Sequence, residues 1–304
     1  MTNASNLPLD IGGNQDFRVI GPRRSGKTAF MAALARWPNA KSDSPIVSVD
    51  PYNDEAGELI NIAQDILEDG KELAGTDYGS GDAENLPTYT LLITLKAKFL
   101  NHPLPALRNQ PIRLRVSCRE YSGELIKELK NIANPSSHLV SYLDDCATAS
   151  GLLILIDSTA TKTSDKEYAQ ALENLQRELN ERLSINNGGL QNYRIAVVFT
   201  KCEQPPASGY WQNIDTFLGL KFPNVKTTLN KWRNNWGCST NYFFCSTFGI
   251  KGTPPRPNFR KKSRDAGGTY GVIDKPGVWR PLGLVAPLYW LATGKEDNQL
   301  RDIK

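Results

Sequence analysis

The sequence predicts an α/β fold of three layers, with helices on both faces of a mostly parallel, doubly wound sheet. Three observations predict it. "GLLILID" (151–157) and "YRIAVVFTK" (193–201) are continuous apolar runs, the pattern of strands covered on both faces. Between them, "DKEYAQALENLQRELNERL" (165–183) spaces its apolar residues as an amphipathic helix does. Near the start, "FRVIG" (17–21) reads as a short strand ending in glycine, and "KTAFMAALARW" (27–37) follows with helical spacing. Strands alternating with helices favour a parallel sheet.

The bulk properties bound the function. With 304 residues, the chain is long enough for a large core. Its 39% hydrophobic and 22% charged content is ordinary for a globular protein, and a net charge of +4 is too small to imply a nucleic-acid partner by itself. The five cysteines are scattered without a CxxC pair, which argues against a disulfide framework or a zinc site. Only His102 and His138 exist, so a histidine metal centre is not expected. No apolar stretch reaches the length of a membrane span, and a cytoplasmic location is expected.

The elements follow in order. Residues 1–16 are polar and turn-rich and read as a flexible leader. "DEAGELINIAQDILEDG" (54–70) reads as a helix, followed by the turn-rich "AGTDYGSGDAENLP". "TYTLLITLKAKFL" (88–100) and "PIRLRVSCRE" (111–120) read as two antiparallel strands. "GELIKELKNIA" reads as a helix, "PNVKTTLNKWRNNWG" as a helix with a glycine stop, and "NYFFCS" (241–246) as the last strand. "RPLGLVAPLYWLATG" closes the chain as a helix with its prolines near the start. Residues 17–304 are expected to form one domain, with an insertion at about 38–86 and a basic, Pro-rich loop at about 249–277.

The first turn carries the strongest chemical signal. Gly21-Pro22-Arg23-Arg24-Ser25-Gly26-Lys27-Thr28 matches GxxxxGK[ST] between a strand and a helix, the context this motif requires. Glycines let successive N–H groups turn inward around phosphate oxygens, where a helix N-terminus adds positive potential. Lys27 would reach the outer phosphates, and the Thr28 hydroxyl would serve Mg2+. Gly21, Arg23, Arg24, Ser25, Gly26, Lys27 and Thr28 are therefore expected to line a nucleotide.

Four further stretches occur in an order that resembles Ras-like, translation-factor-class (TRAFAC) P-loop GTPases, and most nearly the double-GTPase families of bacterial conflict and signalling systems. Pro87-Thr88 precedes a strand, "EYSGE" follows the next, "TKCE" (200–203) ends a buried strand, and "CST" (245–247) ends the last. The resemblance covers about residues 17–248. It implies that Thr88 binds Mg2+ and the γ-phosphate, that Glu120 holds a metal-bound water, and that Gly123 offers its N–H to the γ-phosphate. It also implies that Lys201 lies along the base, with Thr200 in the same nucleotide-binding stretch, that Glu203 accepts from guanine N1 and N2, and that amides near Ser246 and Thr247 face O6. GTP/GDP with Mg2+ are the implied ligands, with ATP second. A protein effector or adaptor is the implied partner, in a bacterial defence or signalling system.

The departures matter. Glutamate replaces the usual aspartate in "EYSG" and in "TKCE", each adding a methylene of reach. Glu124 stands where many relatives place a water-positioning glutamine; it accepts from water but cannot donate as an amide can. Hydrolysis is therefore expected to be slow. Arg24, nearer the crown of the loop than Arg23, is the better-placed arginine to stabilise transition-state charge in cis. The catalytic set is Lys27, Arg24, Thr88 and Glu124; the metal set is Thr28, Thr88 and Glu120. Two alternatives stand beside this switch. One is a non-hydrolysing nucleotide-binding subunit of a larger assembly. The other is an ATPase in which Asp157, ending "LLILID", serves as the Walker B aspartate.

Two regions lie outside this scheme. Between Thr28 and Thr88 stand 59 residues, enough for an inserted helix that covers the nucleotide or docks a partner. "KGTPPRPNFRKKSR" (251–264) holds six Lys/Arg and no acid, and reads as a flexible loop able to contact nucleic acid or another anionic surface. A single aromatic, Phe259, interrupts it, so no stacking platform is evident.

Overall fold

The computed structural model describes residues 9–37, 45–70, 86–96, 111–121, 123–186, 193–263 and 269–301. The chain begins with β1 (Leu9–Ile20), α1 (Lys27–Arg36), β2 (Ile46–Pro51) and α2 (Asp54–Gln64), which runs into a wider turn at Asp65–Asp69. It continues through β3 (Thr88–Leu95), β4 (Ile112–Glu120), α3 (Glu124–Leu129), α4 (Ser137–Thr148), β5 (Gly151–Asp157) and α5 (Lys162–Asn186). Next come β6 (Arg194–Thr200), α6 (Ile214–Lys221), α7 (Pro223–Trp236) and β7 (Ser239–Phe244). Short strands β8 (Ile250–Lys251), β9 (Arg256–Pro257), β10 (Phe259–Ser263) and β11 (Thr269–Ile273) precede the closing helix α8 (Val285–Thr293).

Side-chain parity along the central strands sorts the core into two layers. On β5, Leu153 and Leu155 join one buried cluster, with α1, α2 and α8, while Leu152, Ile154 and Ile156 join the other, with α3 to α7. A strand covered on both faces must divide its side chains in this way. The sheet has seven strands in the order β2-β3-β4-β1-β5-β6-β7. β4, β1, β5, β6 and β7 are parallel; β3 runs antiparallel to β4, and β2 antiparallel to β3. This is the three-layer, mostly parallel architecture that the sequence predicts, with a wound parallel block and an antiparallel edge.

Local chemistry fixes the helix ends. Asn53 caps α2 by accepting from the Ala56 amide (3.1 Å), with Asp54 and Glu55 in the first turn where the helix dipole favours them. α7 opens on Pro223 and stops at Gly237, whose left-handed φ of +66° ends the helix without a Cβ penalty. In α8, Pro287 lies in the first turn, where its missing N–H has no intrahelical partner to lose.

Three expectations need correction. β1 begins at Leu9, so residues 9–16 of the expected leader are strand, paired with β4 across an irregularity between Asp10 and Asn14. Residues 1–8 lie outside the described residues, as do 71–85 of the insertion and 97–110 of the strand pair. β7 is not the last strand. The basic stretch read as a loop instead forms β9 and β10, and β10 pairs antiparallel with β11. That hairpin packs on the insertion: the Lys262 ammonium lies 3.5 Å from the Glu68 carbonyl and 3.7 Å from Asp69. The insertion itself contributes β2, an extra strand on the sheet edge, as well as the expected helix.

Candidate functional site

The parallel strands end together, and their C-terminal ends carry the predicted residues. This is where ligands bind in open α/β sheets. Gly21 follows β1, and a Cβ there would stand 2.4 Å from the Leu155 carbonyl oxygen, so only glycine lets the loop leave so close to β5. Gly26 enters α1 in the left-handed region, φ +88°, again a position suited to glycine. Arg24 is left-handed too, φ +66°, which a side chain rarely adopts without compensation. Lys27 is buried, and its ammonium donates back to the carbonyls of Gly21 (2.9 Å) and Pro22 (3.1 Å), closing the loop around the helix N-terminus. Thr28 is half-buried on the first turn of α1. Ser25 is fully buried, and its hydroxyl has no hydrogen-bond partner among the described residues.

Thr200 holds this loop in place. Its hydroxyl donates to the Ser25 carbonyl at 2.6 Å from the end of β6. Lys201, left-handed at φ +58°, pairs through its ammonium with Asp157 at 2.5 Å. The other oxygen of Asp157 accepts from the amide and hydroxyl of Thr159, at 2.8 and 2.6 Å. Both Asp157 oxygens are thus engaged at the lysine side of the site.

Glu203 is the notable buried charge, with 3% exposure. Its Oε2 has no partner among the described residues, while Oε1 lies 3.4 Å from the Gln204 amide and the Ser246 hydroxyl and the residue's own backbone also act on the carboxyl. Burial pushes its carboxyl above the usual range, against the opposing effects of the Ser246 hydroxyl, its own backbone and Gln204. A buried acceptor without a donor is costly unless something supplies one. Of the neighbouring amides expected to face a base, Ser246 donates instead to the Leu282 carbonyl (3.0 Å), in a bridge that docks the chain before α8 onto this loop. The Thr247 carbonyl accepts from the Trp279 indole at 2.9 Å.

The phosphate loop meets α3 on its other flank. A Cβ on Gly123 would lie 2.4 Å from the Arg23 nitrogen and 2.7 Å from its Cα, so glycine alone permits this contact. Glu124 opens α3 between two cations, Arg23 at 3.4 Å and Lys127 at 3.3 Å. It is therefore Arg23, and not Arg24, that engages the residue at the expected water-positioning place. Glu120 ends β4, its backbone paired with Val19; its side chain lies outside the described residues.

Thr88 begins β3 at the same end of the sheet, opposite Arg119. Its hydroxyl accepts from Arg119 Nε at 3.1 Å, and its carbonyl from the Asn53 side chain at 2.6 Å. Asn53 also accepts from the Thr90 amide at 3.0 Å, so the cap of the inserted helix pins the start of β3. Arg119 in turn pairs with Asp145 (2.9 Å), which takes a bidentate contact from the buried Arg18 and a hydrogen bond from Tyr121. Burial works to raise the Asp145 carboxyl, but Arg18, Tyr121 and Arg119 outweigh it and hold the group below its ordinary value. Sequence reasoning missed Asn53, Arg119 and Asp145. The signal available was Arg18, a charge inside the apolar "FRVIG", which a buried strand tolerates only with a partner.

No family model matches this chain, and no curated protein matches its sequence. Among solved structures, the fold is similar to a signal recognition particle receptor SRb-GTP/SRX complex from Chaetomium thermophilum. That match has a TM-score of 0.38 and 13% identity, and covers 79% of this chain and 93% of that one. It is similar also to the Ski7 GTPase-like domain of S. cerevisiae, bound to GTP, with TM-score 0.39, 10% identity, and 80% and 44% of the two chains covered. A GTP-binding protein from Sulfolobus solfataricus in complex with GDP matches with TM-score 0.34 and 13% identity, covering 77% of this chain and 47% of that one. Against those last two, this chain spans under half the partner's length. Likenesses of this size leave ligand and activity to this chain's own residues.

Proposed function

We propose that this chain binds GTP and GDP and hydrolyses GTP slowly, gating a protein effector or adaptor by the presence of the γ-phosphate. Support comes from a phosphate cradle and a buried base acceptor at one end of one sheet. Gly21, Gly26 and Lys27 shape the cradle, Thr200 holds its Ser25 carbonyl, and the N-terminus of α1 faces it. The observation that carries guanine over adenine is Glu203, a buried carboxyl whose Oε2 has no partner among the described residues and which suits the paired N1 and N2 donors of guanine.

The oxygen donors of Thr28, Thr88 and Glu120 suit Mg2+, which prefers hard oxygen ligands and would neutralise phosphate charge there. Thr88 would have to release Arg119 to serve it. Glu124, tied to Arg23 and Lys127, is poorly placed to orient water, which fits slow turnover. The same pairing favours a second reading, a nucleotide-binding module that does not hydrolyse. By extension of the motif resemblance, the proposed effector acts in a bacterial signalling or defence system.

The test is a titration with GTP, GDP and ATP in the presence of Mg2+, with phosphate release followed in parallel. Expected are GTP and GDP binding, ATP weaker by about tenfold or more, slow phosphate release, and loss of all binding in Lys27→Ala. Tight GTP binding without release establishes the second reading, and equal ATP binding overturns the role of Glu203.

A further inference from the structure

Gly123 and Glu124 touch the same residue of the phosphate loop by two different means. Gly123 lies on the Arg23 backbone so closely that a Cβ would stand 2.4 Å from the Arg23 nitrogen. Glu124 approaches the Arg23 guanidinium at 3.4 Å, with Lys127 on its other oxygen at 3.3 Å. Behind them, Leu125, Ile126 and Leu129 anchor α3 in the core, so the helix start is fixed to the core on one side and to the loop on the other.

From this geometry we infer that Arg23 and Glu124 form a latch that holds α3 on the phosphate loop and is opened by a third phosphate. Arg23 is thereby a positioning residue that sets the preference between GDP and GTP. The inference rests on the proposed nucleotide site. A diphosphate would be bound by Lys27, the amides from Ser25 onward and the α1 N-terminus, which lie outside the latch. A γ-phosphate would add negative charge at the loop, within reach of the exposed Arg23 guanidinium. It competes with the Glu124 carboxylate for the one guanidinium and repels that carboxylate. Arg23 would pass from carboxylate to phosphate, releasing the start of α3 from the loop. Arg23 is 80% exposed in its side chain, so its ion pair is weak and solvent-screened. A weak latch is one that a phosphate can open.

The test is a double-mutant cycle of Arg23→Ala and Glu124→Ala, read in two ways. In nucleotide-free protein, amide exchange over 123–129 should rise in each single variant and no further in the double. By titration with fluorescent GTP and GDP, Glu124→Ala should raise the GTP:GDP affinity ratio by about two- to fivefold. In the Arg23→Ala background the same substitution should leave the ratio unchanged. Unaltered exchange in both single variants overturns the latch. So does an equal change of ratio in both backgrounds. Absence of binding by either nucleotide overturns the proposed function instead, while the exchange measurement still decides whether the two side chains hold α3.

Discussion

Thr88 and Gly123 sit at the two segments flanking the phosphate loop, and the fold holds them differently. Thr88 is fixed from two sides by hydrogen bonds, through its hydroxyl to Arg119 and through its carbonyl to Asn53, and Arg119 continues into the part-buried cluster with Asp145 and Arg18. Gly123 is held by a steric fit to one loop residue and by an exposed ion pair beside it. Hydrogen bonds within a low-dielectric cluster resist water and salt, whereas an exposed pair is screened. On the proposed latch, a new charge at the loop would act on α3 before it reached Thr88, whose hydroxyl Arg119 holds.

Substitutions break the two sides separately. The largest effect is expected from Gly123→Ala, whose Cβ has no room against backbone atoms. Overpacking should cost about 1–3 kcal/mol in urea unfolding, with amide exchange rising over 123–129 and unchanged over 88–95. A Gly123→Ala variant as stable as the parent and equally protected would show that the close approach to Arg23 does not hold α3. A smaller effect is expected from Asn53→Ala, which removes the α2 cap and two contacts to β3 together. It should cost about 1–2 kcal/mol and raise exchange over 88–95 with no change over 123–129. Loosening at 123–129 as well would show that the two segments move as one.

How much of this was legible in sequence depends on how far apart the interacting groups lie in the chain. The phosphate turn was legible because its strand, glycines, lysine and helix are contiguous. The buried strands β5 and β6 and the antiparallel pair β3/β4 were legible from apolar runs and turn residues. The extra edge strand β2 was not, since its hydrophobic pattern is short and its partner β3 lies beyond the whole insertion. α4 went unread because "SSHLVSYLDDCATA" carries few strong helix formers; the Ser136 cap and the burial of Leu139, Leu143 and Cys146 stabilise it in context. The basic hairpin was masked by its prolines and charges, which mark a loop until Tyr270 and Lys262 are seen to pack on the end of the insertion. Loop position favours Arg24 as the arginine for transition-state charge, and only the placement of α3 shows that the Arg23 guanidinium is the one that meets Glu124. Nor does sequence show that Leu282 takes the Ser246 amide.

The proposed guanine contact rests on the buried Glu203, whose Oε2 has no partner among the described residues, and Glu203→Gln probes it. Burial raises the folded-state pKa of this carboxyl above its unfolded value. Its contribution to stability is therefore full below the ordinary carboxylate pKa and is lost as pH rises through the raised one. Near neutral pH the nucleotide-free glutamine variant should melt higher than the parent, and that gain should vanish at acid pH. In the same protein, GTP affinity should fall by about tenfold or more while ATP affinity stays unchanged. A variant that gains no stability and binds GTP as the parent does would rule out a buried Glu203 carboxylate that serves guanine.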